Sequence, residues 1–258
     1  MGRSYGNCRL DDWRCGSRLL KGINVSTEEK VPDENRRKFL KLLGVLVIGA
    51  GTVGALRSVV QNIIPPVENV ESSFPTLTLY LPNGNPVHTN DLTVNNPQIV
   101  VFDYPLQNEP SFLLRLGDSS NNDVEIKSVQ VKIPATGKSF SSVPGVGPYN
   151  SVVGSSAICQ HLGCIPPEIR FYPPSSSSFP GKIHCSCHGS IYDPYSGFSV
   201  VTGPTQSPLP NVNLVYDKTS DTYSATVMVG PTIYGHSDDL SGGQQITTAG
   251  KTVVTTIQ

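Results

Sequence analysis

Short runs of aliphatic, β-branched and aromatic residues, separated by turn-forming residues, recur along the chain from residue 76 onwards. Such runs predict β-strands rather than long helices. They cover residues 76–81, 98–104, 112–116, 124–133, 213–216 and 222–229. The last two flank turn residues 217–221 and predict a hairpin, and a late strand is expected near 252–257. The pattern therefore predicts an antiparallel all-β domain.

One apolar run differs from these, because it is longer and rich in glycine. Residues 42–56 carry no charge and would span roughly 22 Å as a helix. Residues 39–60 reach about 33 Å if Lys41 and Arg57 extend toward opposite interfaces. We predict a single transmembrane helix at 39–60. A buried glycine-rich helix and a cleaved signal segment, with small residues at 53–55, are the alternatives.

Basic residues are concentrated before this run. Residues 1–41 hold ten of the 19 Lys and Arg of the chain and six of the 20 Asp and Glu. Residues 36–41 read Arg-Arg-Lys-Phe-Leu-Lys and resemble the twin-arginine export signal, which serves folded proteins. An excess of Lys and Arg marks the inner side of a membrane segment. We therefore expect a single-pass plasma-membrane protein with a cytoplasmic N-terminus and its β domain on the outer face.

Bulk composition narrows the function only slightly. The net charge of −1 gives no electrostatic basis for binding nucleic acid. Six cysteines in 258 residues are too few for a disulfide scaffold but enough for a metal site. Cys8 and Cys15 precede the predicted anchor and belong to no motif.

Most of the remaining cysteines and histidines lie in two short boxes. The boxes read Cys159-Gln-His-Leu-Gly-Cys164 and Cys185-Ser-Cys-His-Gly-Ser190. Each offers a cysteine and a histidine as ligands, a further cysteine, and a glycine, so that two such loops can enclose one metal centre. An ordinary zinc site is one alternative, and two disulfides with incidental histidines are another. Neither explains why the two boxes share the same content. His184, His88 and His236 are interpreted as ordinary polar residues.

The boxes resemble the Rieske family, whose pattern is Cys-x-His-x-Gly-Cys followed by Cys-x-Cys-His-Gly-Ser. The resemblance implies a [2Fe-2S] cluster with two ligands on each iron: Cys159 and Cys185 on one, His161 and His188 on the other. It also implies a disulfide between Cys164 and Cys187. Neutral imidazoles in place of two thiolates raise the reduction potential.

Two hydroxyl residues indicate the quinol-oxidising branch of that family. Ser190 and Tyr192 match donors of high-potential members, in which the Ser faces a bridging sulfide and the Tyr faces the first-box thiolate, here Cys159. A donor to sulfur stabilises the reduced cluster and raises its potential.

Three more residues are expected around the cluster. Leu162 would shield it beside the first histidine ligand, and Gly203-Pro204 resembles the start of the proline loop that covers it. The twenty residues 165–184 between the boxes exceed the spacing usual in mitochondrial members. They resemble the insertion of archaeal Rieske proteins from respiratory oxidase complexes.

The expected architecture combines these features into an all-β, antiparallel, sandwich-like Rieske domain, which carries an inserted cluster-binding subdomain and follows the single transmembrane helix. The expected segments are a cytoplasmic tail (1–38), the anchor (39–60), a tether (61–74), the Rieske domain (75–235, with the cluster-binding subdomain at about 155–208) and a C-terminal tail (236–258).

The resemblance implies the electron-transfer subunit of a membrane quinol-oxidising respiratory complex. Such a subunit takes one electron from quinol and passes it to a cytochrome or copper protein, with a cytochrome b-type subunit as partner. His161 or His188 would contact the quinol, and the chain would be a redox subunit rather than a complete enzyme. The alternative is the small Rieske subunit of an arsenite-oxidase-like molybdenum enzyme. Soluble oxygenase ferredoxins fit less well, because they usually lack the disulfide cysteines and an export signal.

Overall fold

The computed structural model describes residues 74–246 and 249–257. The predicted cytoplasmic tail, the twin-arginine sequence and the predicted anchor at 39–60 lie outside these residues. Within the two described ranges, none of the helices has the length and apolar character needed to cross a bilayer.

Thirteen β-strands and two short 3-10 turns make up the described part of the chain, which confirms the all-β prediction. The strands are β1 (Leu77–Tyr80), β2 (Ile99–Asp103), β3 (Pro110–Arg115), β4 (Gln130–Lys132), β5 (Ser139–Ser141), β6 (Val152–Ser156), β7 (Ile169–Tyr172), β8 (Lys182–Cys185), β9 (Ser190–Asp193), β10 (Ser199–Thr202), β11 (Asn211–Asp217), β12 (Thr222–Val229) and β13 (Lys251–Ile257). The 3-10 turns cover Thr89–Asp91 and Pro194–Ser196.

Seven strands close into a barrel in the order β1-β12-β11-β6-β3-β2-β13, so the sandwich-like part of the prediction is wrong, and one pair in the antiparallel domain is parallel. The C-terminal strand closes the barrel. It pairs in parallel with β1, where Leu79 faces Thr252, and antiparallel with β2, where Thr255 faces Val101. The late strand expected near 252–257 is therefore confirmed, and it belongs to the β domain rather than to a separate tail.

Individual strands follow the sequence pattern unevenly. β11 and β12 form the predicted hairpin, in which Asp217 pairs with Thr222. The predicted strand at 124–133 shortens to Gln130–Lys132. Its first half leaves the ladder, because the Val124 amide donates to the Leu116 carbonyl and the Ile126 amide donates to the Asn150 carbonyl.

A second, four-stranded sheet in the order β10-β9-β8-β7 carries the second box between β8 and β9, and the first box lies in the connection from β6 of the barrel to β7 of this sheet. The sheet is inserted between β6 and β11, which are neighbours in the barrel, where Asn211 pairs with Ser155. Its buried side chains share a core with the outer wall of the barrel, as Phe171, Ile183 and Tyr192 join Phe112 of β3. This common core fixes the small sheet, and with it both boxes, against the barrel.

Candidate metal centre

The first box forms a closed loop directly after β6. The Cys159 amide donates to the Cys164 carbonyl at 2.8 Å, and the Gly163 amide donates to the Cys159 carbonyl at 2.9 Å. Gly163 has a φ of +76°, a conformation that glycine adopts at little cost. The loop therefore returns on itself and presents the side chains of residues 161 and 162 at its tip.

The second box is the tight turn between β8 and β9. Cys185 and Ser190 are paired across the two strands, and the Gly189 amide closes the turn on the Cys185 carbonyl at 2.9 Å. Gly189 has a φ of +82°, so the glycine of the motif again allows the turn. Cys187 and His188 lie at its apex.

A disulfide between Cys164 and Cys187 joins the two loops, as the family resemblance implied. The Sγ atoms of these two residues and of Cys185 lie within 4.8 Å of one another. Since the disulfide removes two of the three sulfurs as ligands, this group is not a three-thiolate zinc site. Two free cysteines remain at the boxes, Cys159 and Cys185, and both are buried.

The two histidines of the boxes face each other. The ring centroids of His161 and His188 are 4.8 Å apart, and the rings are nearly perpendicular. His188 is exposed, whereas His161 is partly buried. The Nδ1 atom of His161 is buried and has no hydrogen-bond partner among the described residues. A buried nitrogen without a partner costs free energy and fits the ligand atom of a metal.

Tyr192, a buried residue of β9, contacts the first loop. Its hydroxyl lies 3.3 Å from Cys159 Sγ and accepts a hydrogen bond from the Gln160 amide at 3.1 Å. Burial, followed by the contact with Cys159, raises the pKa of the Tyr192 hydroxyl, which therefore stays protonated. The oxygen accepts from Gln160, so its own proton can be donated to Cys159 Sγ when that cysteine is deprotonated as a metal ligand.

Ser190 is as deeply buried as Tyr192, with a relative exposure of 1%. Its Oγ has no hydrogen-bond partner among the residues that the structure describes. A buried hydroxyl without a partner, on the residue paired with Cys185 across the turn, fits a hydrogen-bond donor to an inorganic acceptor such as sulfide.

The expected covering loop closely approaches the second box. A methyl group added at Gly203 would lie 2.5 Å from the Gly189 carbonyl oxygen and 2.6 Å from Ser190 Cα. Gly203 and Pro204 are exposed, and the following Thr205 is buried and interacts with the Tyr192 hydroxyl. Leu162 lies at the tip of the first loop and is 54% exposed.

Replacement of Gly203 by Ala is expected to displace this loop. The new side chain would collide with backbone atoms, which cannot rotate away, at a residue whose φ is +100°. Gly84→Ala is the matched control, because Gly84 has a φ of +84° and no atom within 4 Å of an added methyl group. We expect Gly203→Ala to lower the free energy of unfolding by about 1–3 kcal/mol more than Gly84→Ala does. Chemical denaturation of both variants measures the difference, and equal losses would contradict the close approach.

Two contacts were not predicted from the sequence. Thr205 follows the expected Gly-Pro pair, and nothing in the sequence connects it with Tyr192. Tyr234 lies 2.9 Å from the position that a methyl group at Gly163 would occupy. Only the glycine in the first box indicated such a close neighbour, since a motif glycine marks either a special φ or a close approach.

His184 stacks on Phe179, with 3.9 Å between the ring centroids, and is not part of the facing histidine pair.

Two free cysteines and two histidines on a pair of disulfide-linked loops are the ligand set of a Rieske-type iron–sulfur electron-transfer centre, in which two histidines replace two cysteines on one iron. The family model described as Rieske [2Fe-2S] domain matches residues 123–213. This chain carries a Rieske [2Fe-2S] domain, and its cofactor is a Rieske-type [2Fe-2S] cluster.

Similar proteins carry related names. The chain is 27% identical over 180 residues to "Cytochrome b6-f complex iron-sulfur subunit 2" of Synechocystis, an alignment that covers 70% of this chain and 78% of the relative. It is 28% identical over 196 residues to the "Cytochrome b6-f complex iron-sulfur subunit" of Desmonostoc, covering 75% and 87%. Among solved structures, the soluble domain of Rieske protein II (soxF) from Sulfolobus acidocaldarius is similar, with 28% identity, a TM-score of 0.46, and coverage of 61% of this chain and 80% of that chain.

Proposed function

We propose that this chain is the Rieske subunit of a membrane quinol-oxidising respiratory complex. The observation that carries the proposal is the pair of loops, each of which contributes one free cysteine and one histidine, with the Tyr192 hydroxyl at Cys159 Sγ. The names of the relatives, which are subunits of cytochrome b6-f complexes, support a redox subunit that works with a cytochrome b-type partner.

The proposed ligands are four side chains of the two boxes. Cys159 and Cys185 hold one iron, and His161 and His188 hold the other. Buried thiols are poor donors of protons but good metal ligands once deprotonated. The two cysteines are both buried, whereas the two histidines lie nearer the surface, so the histidine side faces a redox partner. When bound, the cluster supplies reversible one-electron transfer.

The exposed imidazole of His188 is the better placed of the two to meet quinol. It lies at the apex of the second loop, and Leu162, which is 54% exposed, lies on the neighbouring loop. A ring nitrogen can accept a hydrogen bond from the quinol hydroxyl, while the apolar side chain contacts the ring or tail. The cytochrome b-type subunit would complete the pocket, and the electron would pass on to a cytochrome or copper protein.

The predicted topology suits this role. An anchor at 39–60 with the N-terminus in the cytoplasm would hold the β domain on the outer face of the plasma membrane, where quinol is oxidised. The test is purification of the full chain from native membranes in mild detergent. Co-purification of a cytochrome b-type subunit supports the proposal, whereas co-purification of a molybdenum subunit would assign the chain to an arsenite-oxidase-like enzyme instead.

The full chain in detergent is expected to contain two irons and two inorganic sulfides and to give a Rieske-type EPR signal after reduction. The ligand variant Cys185→Ala should lose this signal, whereas Cys8→Ala, which alters a cysteine outside the boxes, should keep it. Metal analysis and EPR on the three proteins check this. Stoichiometric zinc, with no visible absorbance, in protein prepared under conditions that preserve iron–sulfur clusters would refute the cluster assignment.

A further inference from the structure

The short turn at residues 233–236 places one exposed aromatic ring against the first box. The His236 amide donates to the Ile233 carbonyl at 3.1 Å, and Gly235, the third residue, has a φ of +87°. A type II turn requires a positive φ at that position. Tyr234 is therefore the second residue of the turn, and its ring lies on Gly163, leaving no room for a methyl group there.

The first and last residues of this turn, Ile233 and His236, are fixed to the barrel. Ile233 is 1% exposed and packs in the barrel core, and its amide donates to Asp239 Oδ1 at 2.9 Å. His236 Nε2 lies 2.7 Å from Glu109 Oε1, and the two side chains are 13% and 10% exposed. Glu109 in turn lies between β2 and β3, where its carbonyl accepts a hydrogen bond from the Tyr104 amide.

The polar contacts that hold the turn are expensive to bury. Glu109 Oε2 and the Tyr104 hydroxyl are buried without a hydrogen-bond partner among the described residues. Burial raises the pKa of Glu109 and raises that of Asp239 to about 6. The contact between His236 Nε2 and Glu109 Oε1 is short and largely buried, so removal of either partner would leave a buried polar group unpaired, which costs free energy. The pair therefore defines the position of the turn more strictly than exposed contacts would.

The first loop can respond to the position of Tyr234. Gly163 donates its amide proton to the Cys159 carbonyl, and the Cys159 amide donates to the Cys164 carbonyl. A shift of Gly163 would therefore change the loop backbone that carries Cys159 and His161. Residues 233–236 lie outside the segment 123–213 that matches the family model.

We propose that Tyr234 is a positioning residue for the first cluster loop, and that the buried pair of Glu109 and His236 holds Tyr234 in place. This inference rests on the proposed function, because the position of the loop affects redox chemistry only if Cys159 and His161 are ligands. Tyr234 acts through its contact with Gly163 rather than through direct contact with the ligands.

The test compares Tyr234→Ala with Tyr234→Phe in the full chain. Loss of the ring should change the EPR spectrum of the reduced protein and shorten the half-life of its visible absorbance in an iron chelator by about tenfold, the lower end of the effect of outer residues on metal affinity. Tyr234→Phe keeps the ring and should restore both. Tyr149→Ala is the control for loss of an exposed tyrosine, because Tyr149 is 55% exposed and lies beside Arg115.

The buried pair is tested in the same way. His236→Gln removes the imidazole that contacts Glu109 and should produce the EPR change of Tyr234→Ala. The double variant Glu109→Gln/His236→Gln can form a neutral amide hydrogen bond and should recover the wild-type spectrum. If Tyr234→Ala retains the wild-type spectrum and half-life, or if Tyr234→Phe fails to restore them, the inference is overturned.

Hydrogen exchange separates this inference from the proposed function. A wild-type chain without a Rieske signal would overturn the proposed function itself. The amides of residues 159–164 can still be followed in the same variants, with or without the cluster. Faster exchange in Tyr234→Ala than in Tyr234→Phe supports the contact, and identical exchange contradicts it.

Discussion

Removal of the Tyr192 hydroxyl is expected to lower the reduction potential of the cluster by roughly 40–130 mV. The hydroxyl lies 3.3 Å from Cys159 Sγ, and it is the donor of this pair when Cys159 is a deprotonated iron ligand. Reduction adds negative charge to the cluster and its thiolates, so this hydrogen bond is stronger in the reduced state. A difference of about 1–3 kcal/mol in the strength of this hydrogen bond between the two states, the range found for hydrogen bonds to neutral and to charged groups, gives roughly 40–130 mV, since about 59 mV corresponds to a tenfold change for one electron.

Tyr192→Phe is the appropriate variant, because it keeps the ring, which is fully buried in the core of the small sheet. Protein-film voltammetry of the variant and the wild type measures the shift. Tyr195→Phe is the matched control. Tyr195 lies in the 3-10 turn after β9, and its hydroxyl donates to the carbonyl of Gly117, just after β3 of the barrel, at 2.7 Å rather than to a residue of either box. A potential that falls equally in both variants would show a general loss of packing and not a donor to sulfur.

Ser190→Ala should act in the same direction as Tyr192→Phe. The Ser190 Oγ is buried and has no acceptor in the described protein, so a bridging sulfide would be its natural partner. If the two hydroxyls bond to different sulfurs, the two shifts should be additive in the double variant, since separate sites generally add. An unchanged potential in Ser190→Ala would indicate that this hydroxyl bonds to something other than the cluster.

The sequence predicted the chemistry of the site better than the shape of the domain. Cys164 and Cys187 pair as the motif implied, and Tyr192 contacts Cys159 as the family pattern implied. These predictions succeed because a metal motif records which side chains must meet, even when the residues are far apart along the chain.

The closed barrel was not predictable from local patterns. The strand at the C-terminus pairs with β1, about 170 residues earlier along the chain, and hydrophobic alternation contains no information about partners. The strand predicted at 124–133 is short because contacts with distant residues hold its start outside the sheet. Asp123, directly before it, is bound to Arg115 through two hydrogen bonds of 2.8 Å, and local alternation does not indicate this partner. Tyr234 was missed because its partner, Gly163, has no side chain that could indicate a contact.

Removal of the disulfide is expected to destabilise the site more than any change to a single hydroxyl. Cys164 and Cys187 are separated by 23 residues, and closing a loop of that size restricts the unfolded chain by about 3 kcal/mol. The double variant Cys164→Ser/Cys187→Ser should therefore unfold at lower denaturant concentration.

The same double variant should also lose iron faster, because the disulfide is the covalent connection between the two loops that hold the proposed ligands. Each loop keeps its own hydrogen bonds, at Gly163 and at Gly189, so each should fold locally while the two separate. Double replacement is the correct comparison, since a single variant leaves a free thiol close to Cys185 that can exchange or bind metal. The denaturation midpoint of the double variant tests the expected loss of stability, and its iron content and EPR signal test the expected loss of iron. Unaltered iron retention alongside reduced stability would show that the shared core of Phe171, Ile183 and Tyr192, rather than the disulfide, holds the two loops in register.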